Sequence, residues 1–305
     1  MLRHVLYSVR HRTSYRYGRP VDLGVHLLHL SPRTLPSQRV LRADLVPTPA
    51  PDRVEQGTDT FGNAVTWMFL EAPHAAFEVR LEAVVEVRPR AAPPPAATLG
   101  WRDVAAIARE RPEWHATAEF LFDSPMVAVA PEITAYAALS FGDGRSVIAG
   151  LLDLNSRIRR DFAFRPGSTT LSSTPRTVFA QRSGVCQDFA HLMIAGLRGI
   201  GLPARYVSGY VRTYPAPGQP RRRGADQSHA WVGAWMGPEH GWIDLDPTND
   251  LIVADEHVTL GWGRDYGDVS PVRGVILGGG AHSVEAAVDL EPLAADASSI
   301  PAVGH

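Results

Sequence analysis

From Tyr7 to Tyr17 the chain alternates, with Tyr7, Val9, Thr13, Tyr15 and Tyr17 set against Ser8, Arg10, Arg12, Ser14 and Arg16. A period of two with β-formers on one side is the pattern of a half-buried strand. "VLRADLVPTPAP" (40–51) and "AFEVRLEAVVEVRP" (76–89) repeat it, and "DTFGNAV" between them carries the Gly62-Asn63 turn signal. Residues 1–90 are therefore predicted to form an antiparallel β domain, either a sandwich or a partly closed barrel. "PRAAPPPAAT" (89–98) cannot form a ladder and opens a linker and connecting segment assigned to 91–130.

The period then changes. In "SVIAGLLDLNSRIRRDF" Ile148, Leu151, Leu152, Leu154 and Ile158 recur at helical spacing, and "PEITAYAALSF" reads the same way. After Cys186, Phe189, Ala190, Met193, Leu197 and Ile200 mark one helical face, and Gly199, Gly201 and Pro203 stop the helix. Strand-like "RYVSGYV", "HAWVGAWM" and "GWIDLD" follow. The pattern predicts an α+β core over 131–255, an extension returning to the fold over 256–290, and a frayed tail over 291–305.

Composition narrows the function classes. Of 305 residues, 45% are hydrophobic and 20% charged, and Lys plus Arg (30) nearly balances Asp plus Glu (32), leaving a net charge of −2. No nucleic-acid footprint is expected, and Arg221, Arg222 and Arg223 in a Pro/Gly-rich stretch read as a solvated loop tip. "MLRHVLYSVRHRTSYRY" has no apolar signal-peptide core, and no run of 18 apolar residues suggests a membrane span. The expectation is a cytoplasmic protein with no membrane partner. A single cysteine excludes an intrachain disulfide.

That cysteine is the chemical clue. Cys186 lies where a helix should begin, and the free N–H groups and partial positive charge of a helix N-terminus favour a thiolate. Gly184 would let the backbone approach a substrate carbonyl. Yet Cys186 also shares the apolar stripe, as a small buried hydrophobe would. A base and an acid have to decide between these readings. His229 shares a strand face with Trp231, Gly233 and Trp235; Trp242, Asp244 and Asp246 share a face of the next strand. If His229 faces Asp246, Trp235 faces His240 across a four-residue loop from Met236 to Glu239; if it faces Asp244, a two-residue loop remains. Both carboxylates stay open on this ground, and Asp246 before Pro247 also reads as an Asx-turn.

"GVCQDFAHLMIAGLRGIGLPARYVSGYV", "SHAWVGAW" and "GWIDLDPTND" resemble, in order, the cysteine, histidine and aspartate blocks of the transglutaminase-like superfamily of papain-like fold enzymes. The likeness covers residues 145–250. Residues 1–90 look like the β-rich N-terminal region that accompanies this core in bacterial proteins, and "GRDYGDVSPVRGV" matches the segment that usually follows it. The resemblance implies an α+β fold: an N-terminal antiparallel β-sandwich-like domain, then a papain-like, transglutaminase-like core with the nucleophile helix packed on an antiparallel sheet. It implies a Cys186, His229 and Asp246 triad, the match at Trp242 and "DPT" favouring Asp246 over Asp244. The activity implied is acyl transfer on amide bonds of peptide or protein substrates, as a cysteine peptidase or amidase ahead of a transglutaminase, with an inactive peptide-binding module as the rival. Gln181 is the candidate side-chain oxyanion donor. Trp231, Trp235 and Asp244 are candidates to line the substrate, although a tryptophan on a sheet face is commonly core. Asp188 is assigned to the loop before the helix or to its first turn. Asp244, Asp246 and Asp250 lack the glycine of an EF-hand loop, so no metal is expected, and no cofactor.

Overall fold

The computed structural model describes residues 4–110, 115–214 and 227–293. The arginine run 221–223 and the tail from residue 294 lie outside the described residues.

The β-patterned region forms β1 (Val5–Leu28), β2 (Gln38–Thr48), β3 (Arg53–Thr58), β4 (Ala64–Leu70) and β5 (His74–Val87). β1 is 24 residues long and offers two extended edges. β5 and β4 run end to end along one of them, from Val5↔Val87 to Leu28↔Thr66, with β2 and β3 outside them. The alternation read from sequence is the burial pattern found: Tyr7, Val9 and Thr13 are buried while Arg10, Arg12 and Arg16 are exposed.

The core follows as α1 (Trp101–Glu110), α2 (His115–Ala118), α3 (Pro131–Ala138), α4 (Val147–Asp161), β6 (Ala163–Phe164), α5 (Pro175–Gln181), β7 (Ser183–Gly184) and α6 (Cys186–Gly199). β8 (Ala204–Val211), β9 (Gln227–Trp235), β10 (Trp242–Asp246), β11 (Leu251–Ile252) and β12 (His257–Gly263) complete it. The core sheet is antiparallel, in the order β11-β10-β9-β8-β12. Two sequence expectations change here. Part of the segment read as connecting, α1, buries Val104, Ala105 and Ala108 in the core; its alanine-rich helical face is a weak signal beside a proline run. And α6 is buried on every side from Asp188 to Arg198 rather than along one stripe. Its Arg198 is tolerated inside because its guanidinium donates to the carbonyls of Phe120, Phe122, Ala204 and Arg264.

The last described strands return to the first. β13 (Val272–Gly278) and β14 (His282–Leu293) pair end to end with the second edge of β1, making one curled seven-stranded antiparallel sheet. Tyr7, Val9, Leu81, Val85, Val288 and Leu290 of this sheet pack on Tyr210, Val258 and Leu260 of the core, so the core sheet supplies the second layer. The open edge of β12 is occupied by side-chain amides from the N-terminal region. Gln38 donates to Thr259 O and accepts from Thr259 N; Asn63 donates to Trp262 O and accepts from Trp262 N. Both amides imitate a neighbouring strand. The architecture is α+β, as expected. Among the described residues no helix is long and apolar enough to cross a membrane.

Candidate active site

Cys186 is the first residue of α6 and is half-buried, as a free thiol. The turn ahead of it is fixed by Asp188, whose Oδ2 accepts from Val185 N (2.8 Å) and Thr169 Oγ1 (2.7 Å). Asp188 therefore holds the loop. Burial raises its pKa, with both hydrogen bonds opposing the rise. Gly184 has a different purpose from the one read in sequence: a Cβ there would stand 2.8 Å from the Asp188 side chain, so the glycine makes room for this clasp.

His229 lies near the start of β9, beside Gly209 of β8, and is 7% exposed. Its Nε2 is 2.7 Å from Asp246 Oδ2, and the ring also interacts with the Cys186 thiol. With Nε2 committed to Asp246, Nδ1 is the nitrogen left for sulfur. Burial opposes charge on this ring, but the hydrogen bonds to Asp246 and Cys186 outweigh it and raise the pKa to about 10.

Asp246 is fully buried at the end of β10. Its two oxygens divide the work. Oδ1 accepts from the backbone N–H groups of Thr248 (2.9 Å) and Asn249 (3.2 Å), which is the Asx-turn. Oδ2 faces His229, Asn249 Nδ2 (2.7 Å) and His257 Nε2 (3.3 Å). The turn reading and the site reading of Asp246 are thus both true of one side chain. Burial would raise its pKa, but this set of donors, His229 first, holds it well below the ordinary carboxylate range.

Neither strand register considered from sequence is the one observed. Trp235 pairs with Trp242 and Asp244 with Gly233, displaced by two residues from the register that sets His229 opposite Asp246. The connection is the six residues 236–241, where Gly237 (φ +103°) and Gly241 (φ +65°) take the left-handed conformations a longer loop needs. A shift of two keeps every side chain on its face, so His229 reaches Asp246 diagonally past the end of the paired segment.

The remaining candidates separate. Gln181 is exposed, and its amide donates to Ser183 O (2.8 Å), so it serves its own turn rather than a site at Cys186. Trp231 and Trp235 are buried core residues, not substrate-lining ones: at 0% and 5% exposure neither ring has a free face. Trp231 Nε1 donates to Asp244 Oδ2 (3.3 Å), and Asp244 lies 3.9 Å from Arg205 NH2. The Arg205 guanidinium stacks between Trp242 and Trp262, at 4.3 and 3.7 Å from their ring centres. Asp244 lines a cavity of about 910 Å³ between the N-terminal region and the core, with Phe61, Arg205, Trp242, His257 and Trp262; Cys186, His229 and Asp246 are not in its wall. Asp250 accepts from Asn155 and Ser156, so the three aspartates turn to three different partners. Among the described residues, His229, Asp246 and His257 are the group whose metal-ligating atoms converge, within 4.8 Å, and their mutual hydrogen bonds account for that convergence.

Three residues at the site carried no sequence signal that was used. Asn249 is three positions past Asp246 in the quoted aspartate block. His257 lies eleven residues past Asp246, the last residue of β10. Tyr206, on β8, is buried; burial, then the charge of Cys186, keeps its hydroxyl protonated well above its ordinary range.

An imidazole hydrogen bonded to a buried carboxylate thus interacts with a thiol, an arrangement suited to passing a proton to and from sulfur. Residues 7–86 match the bacterial transglutaminase-like N-terminal region, and residues 140–247 match the transglutaminase-like superfamily. The uncharacterized protein Rv2569c of Mycobacterium tuberculosis is 40% identical over 301 residues, 95% of this chain and 94% of the relative. The chain belongs to the transglutaminase-like superfamily. A protein-glutamine gamma-glutamyltransferase of Pseudomonas aeruginosa is 34% identical over 119 residues, 38% of this chain and 17% of that protein. Among solved structures, a Cytophaga hutchinsonii protein superposes with a TM-score of 0.75 at 22% identity, covering 96% of this chain and 92% of that one. At that identity the likeness speaks for the superfamily fold alone.

Proposed function

We propose that this superfamily member is a thiol-dependent acyl-transfer enzyme acting on amide bonds of peptides or proteins, as a cysteine peptidase or amidase. The observation that carries the reading is the row Cys186–His229–Asp246, with His229 held by Asp246 at 2.7 Å and interacting with the Cys186 thiol. A protonated His229 beside Cys186 favours the thiolate. Sγ attacks the amide carbonyl carbon and forms the S–C bond. The carbonyl oxygen takes up negative charge, for which the Cys186 N–H at the start of α6 and the Tyr206 hydroxyl are the proposed donors. As the C–N bond breaks, His229 gives its Nδ1 proton to the leaving amine, and a thioester remains. His229 then takes a proton from water, the hydroxide oxygen bonds to the acyl carbon, and the C–S bond breaks to release the acid and restore the ion pair. Asp246 keeps Nε2–H directed at itself throughout.

The provisional cysteine-protease name of the Cytophaga hutchinsonii protein accords with hydrolysis. The Pseudomonas aeruginosa name favours the second reading, in which a primary amine replaces water. A reducing compartment such as the cytoplasm suits a lone free thiol. Mass spectrometry of glutamine-containing peptides, incubated with and without a primary amine, separates the readings. Hydrolysed or deamidated peptide in both arms supports the hydrolase. Amine incorporation establishes the transferase instead. No change in either arm across a broad peptide library leaves a binding module and defeats the proposal.

A further inference from the structure

His257 enters the site from an element that neither the cysteine, histidine nor aspartate block contains. β12 pairs with β8 and is held on its open side by the amides of Gln38 and Asn63. That places His257, opposite Val211, where its Nε2 lies 3.3 Å from Asp246 Oδ2, the oxygen that already receives His229. The ring is buried at 4% exposure and meets Trp231 edge-on, 5.3 Å between centres. Its other nitrogen, Nδ1, is buried and has no hydrogen-bond partner among the described residues.

Those facts fix the tautomer. A proton on Nδ1 would be a buried donor with nothing to accept it, and a bare Nε2 would set its lone pair against a carboxylate oxygen. The proton therefore sits on Nε2 and is donated to Asp246, with Nδ1 as the bare atom. His257 also stands in the wall of the 910 Å³ cavity, whereas its acceptor Asp246 is not in that wall and has no exposure at all.

We propose that His257 is a positioning residue for the acyl-transfer site, a neutral hydrogen-bond donor that shares the Asp246 charge with His229 and seals the carboxylate from the cavity behind it. The proposal rests on the reading of Cys186, His229 and Asp246 given above. Its chemical sense is a matter of balance. A buried carboxylate with His229 as its principal charged partner would hold the imidazolium proton too firmly for His229 to act as an acid toward the leaving amine. A ring donor on the same oxygen, beside the Asn249 amide, draws off a further part of that charge and helps fix the direction of Oδ2. The ionisable groups around the pair are Cys186 from α6, Tyr206 and Arg205 from β8, His229 from β9, and Asp244 and Asp246 from β10. Among them His257 is the second ring on the acid, brought there by β12.

The test follows the His229 ring by ¹⁵N NMR across pH in the full-length protein, assigned with His229→Gln, for wild type, His257→Phe and His257→Gln. Phenylalanine seals the wall without donating, and glutamine donates in place of Nε2. The expected result is a His229 deprotonation midpoint that rises by about half a pH unit or more in His257→Phe and returns toward wild type in His257→Gln. An unchanged midpoint in His257→Phe, or the same shift in both variants, overturns the role. The wild-type spectrum is an independent check that needs no substitution: His257 must be neutral with Nε2 protonated, and an Nδ1-protonated or doubly protonated ring overturns the proposal. Failure of the underlying reading looks different, since His229 would then titrate at its ordinary value in wild type whatever stands at 257.

Discussion

Two histidines of the same core illustrate what makes an imidazole useful. His191 is on α6 itself, five residues after Cys186; His229 is forty-three residues away in sequence. Both are buried. His191 Nε2 accepts from Tyr266 N at 3.2 Å, and burial lowers its pKa to about 4. His229 donates to Asp246 at 2.7 Å, and its pKa is raised to about 10. Burial pulls both the same way, so the difference lies in the partner. The same lesson appears in the acids. Asp244 and Asp246 share a strand and a face, yet Asp244 has one 3.3 Å donor and an arginine at 3.9 Å, and burial raises its pKa, whereas the donors around Asp246 lower it. Nearness to Cys186 in sequence does not raise an imidazole's pKa. A carboxylate that is itself well supplied with donors does.

The comparison breaks most visibly at Asp246. Replacing it with Asn leaves His229 to burial, as His191 is, and acyl-transfer turnover is expected to fall on the order of 10³-fold, while Asp244→Asn stays within about threefold of wild type. Steady-state turnover of whichever peptide the mass-spectrometric screen identifies measures both, and equal losses would erase the distinction drawn between the acids.

Acid titration sharpens the contrast among the histidines. His11, His26 and His191 have pKa values lowered by burial to about 4, against 6.5 when unfolded. The unfolded chain binds their protons first, so their contribution is full above pH 6.5 and is lost as pH falls toward 4, on the order of 3 kcal/mol for each ring. His229 has the opposite sign: its raised pKa stabilises the fold at low and neutral pH, and that contribution is lost as pH rises through about 10. Urea unfolding across pH should therefore show an acid limb that His191→Gln diminishes and an alkaline limb that His229→Gln removes.

The smallest expected effect belongs to the other polar centre. Arg205→Lys removes a planar cation stacked between Trp242 and Trp262 without touching Asp246, and should cost about 1–2 kcal/mol in urea unfolding with turnover unchanged. A large loss of turnover would mean that the Asp244 centre serves the chemistry after all.

Much of this was legible in the chain. Alternation along residues 7–17 and 76–89 announced β1 and β5, and helical spacing announced α4 and α6, because side-chain burial repeats with backbone geometry. Cys186 and His229 stood out as residue types an acyl-transfer site needs, with Asp244 and Asp246 both open as the acid until the family resemblance favoured Asp246. What stayed hidden depends on contacts distant in sequence. The register of β9 and β10 was set by two left-handed glycines within a loop that composition alone does not size. Trp231 and Trp235 offered the right chemistry for a substrate wall, but only packing shows that they are core. His257 belongs to a strand whose edge is held by Gln38 and Asn63, about two hundred residues earlier, and nothing local to "EHVTL" predicts that it lands on Asp246.

The central claim is that His229, held by Asp246, keeps Cys186 reactive where an ordinary thiol is not. The rate of Cys186 alkylation by iodoacetamide at about pH 6, compared between wild type and His229→Ala, tests it directly. The account predicts brisk alkylation in wild type and a loss of about tenfold or more in the variant. Equal, slow rates in the two proteins, rising only in alkali, would contradict it.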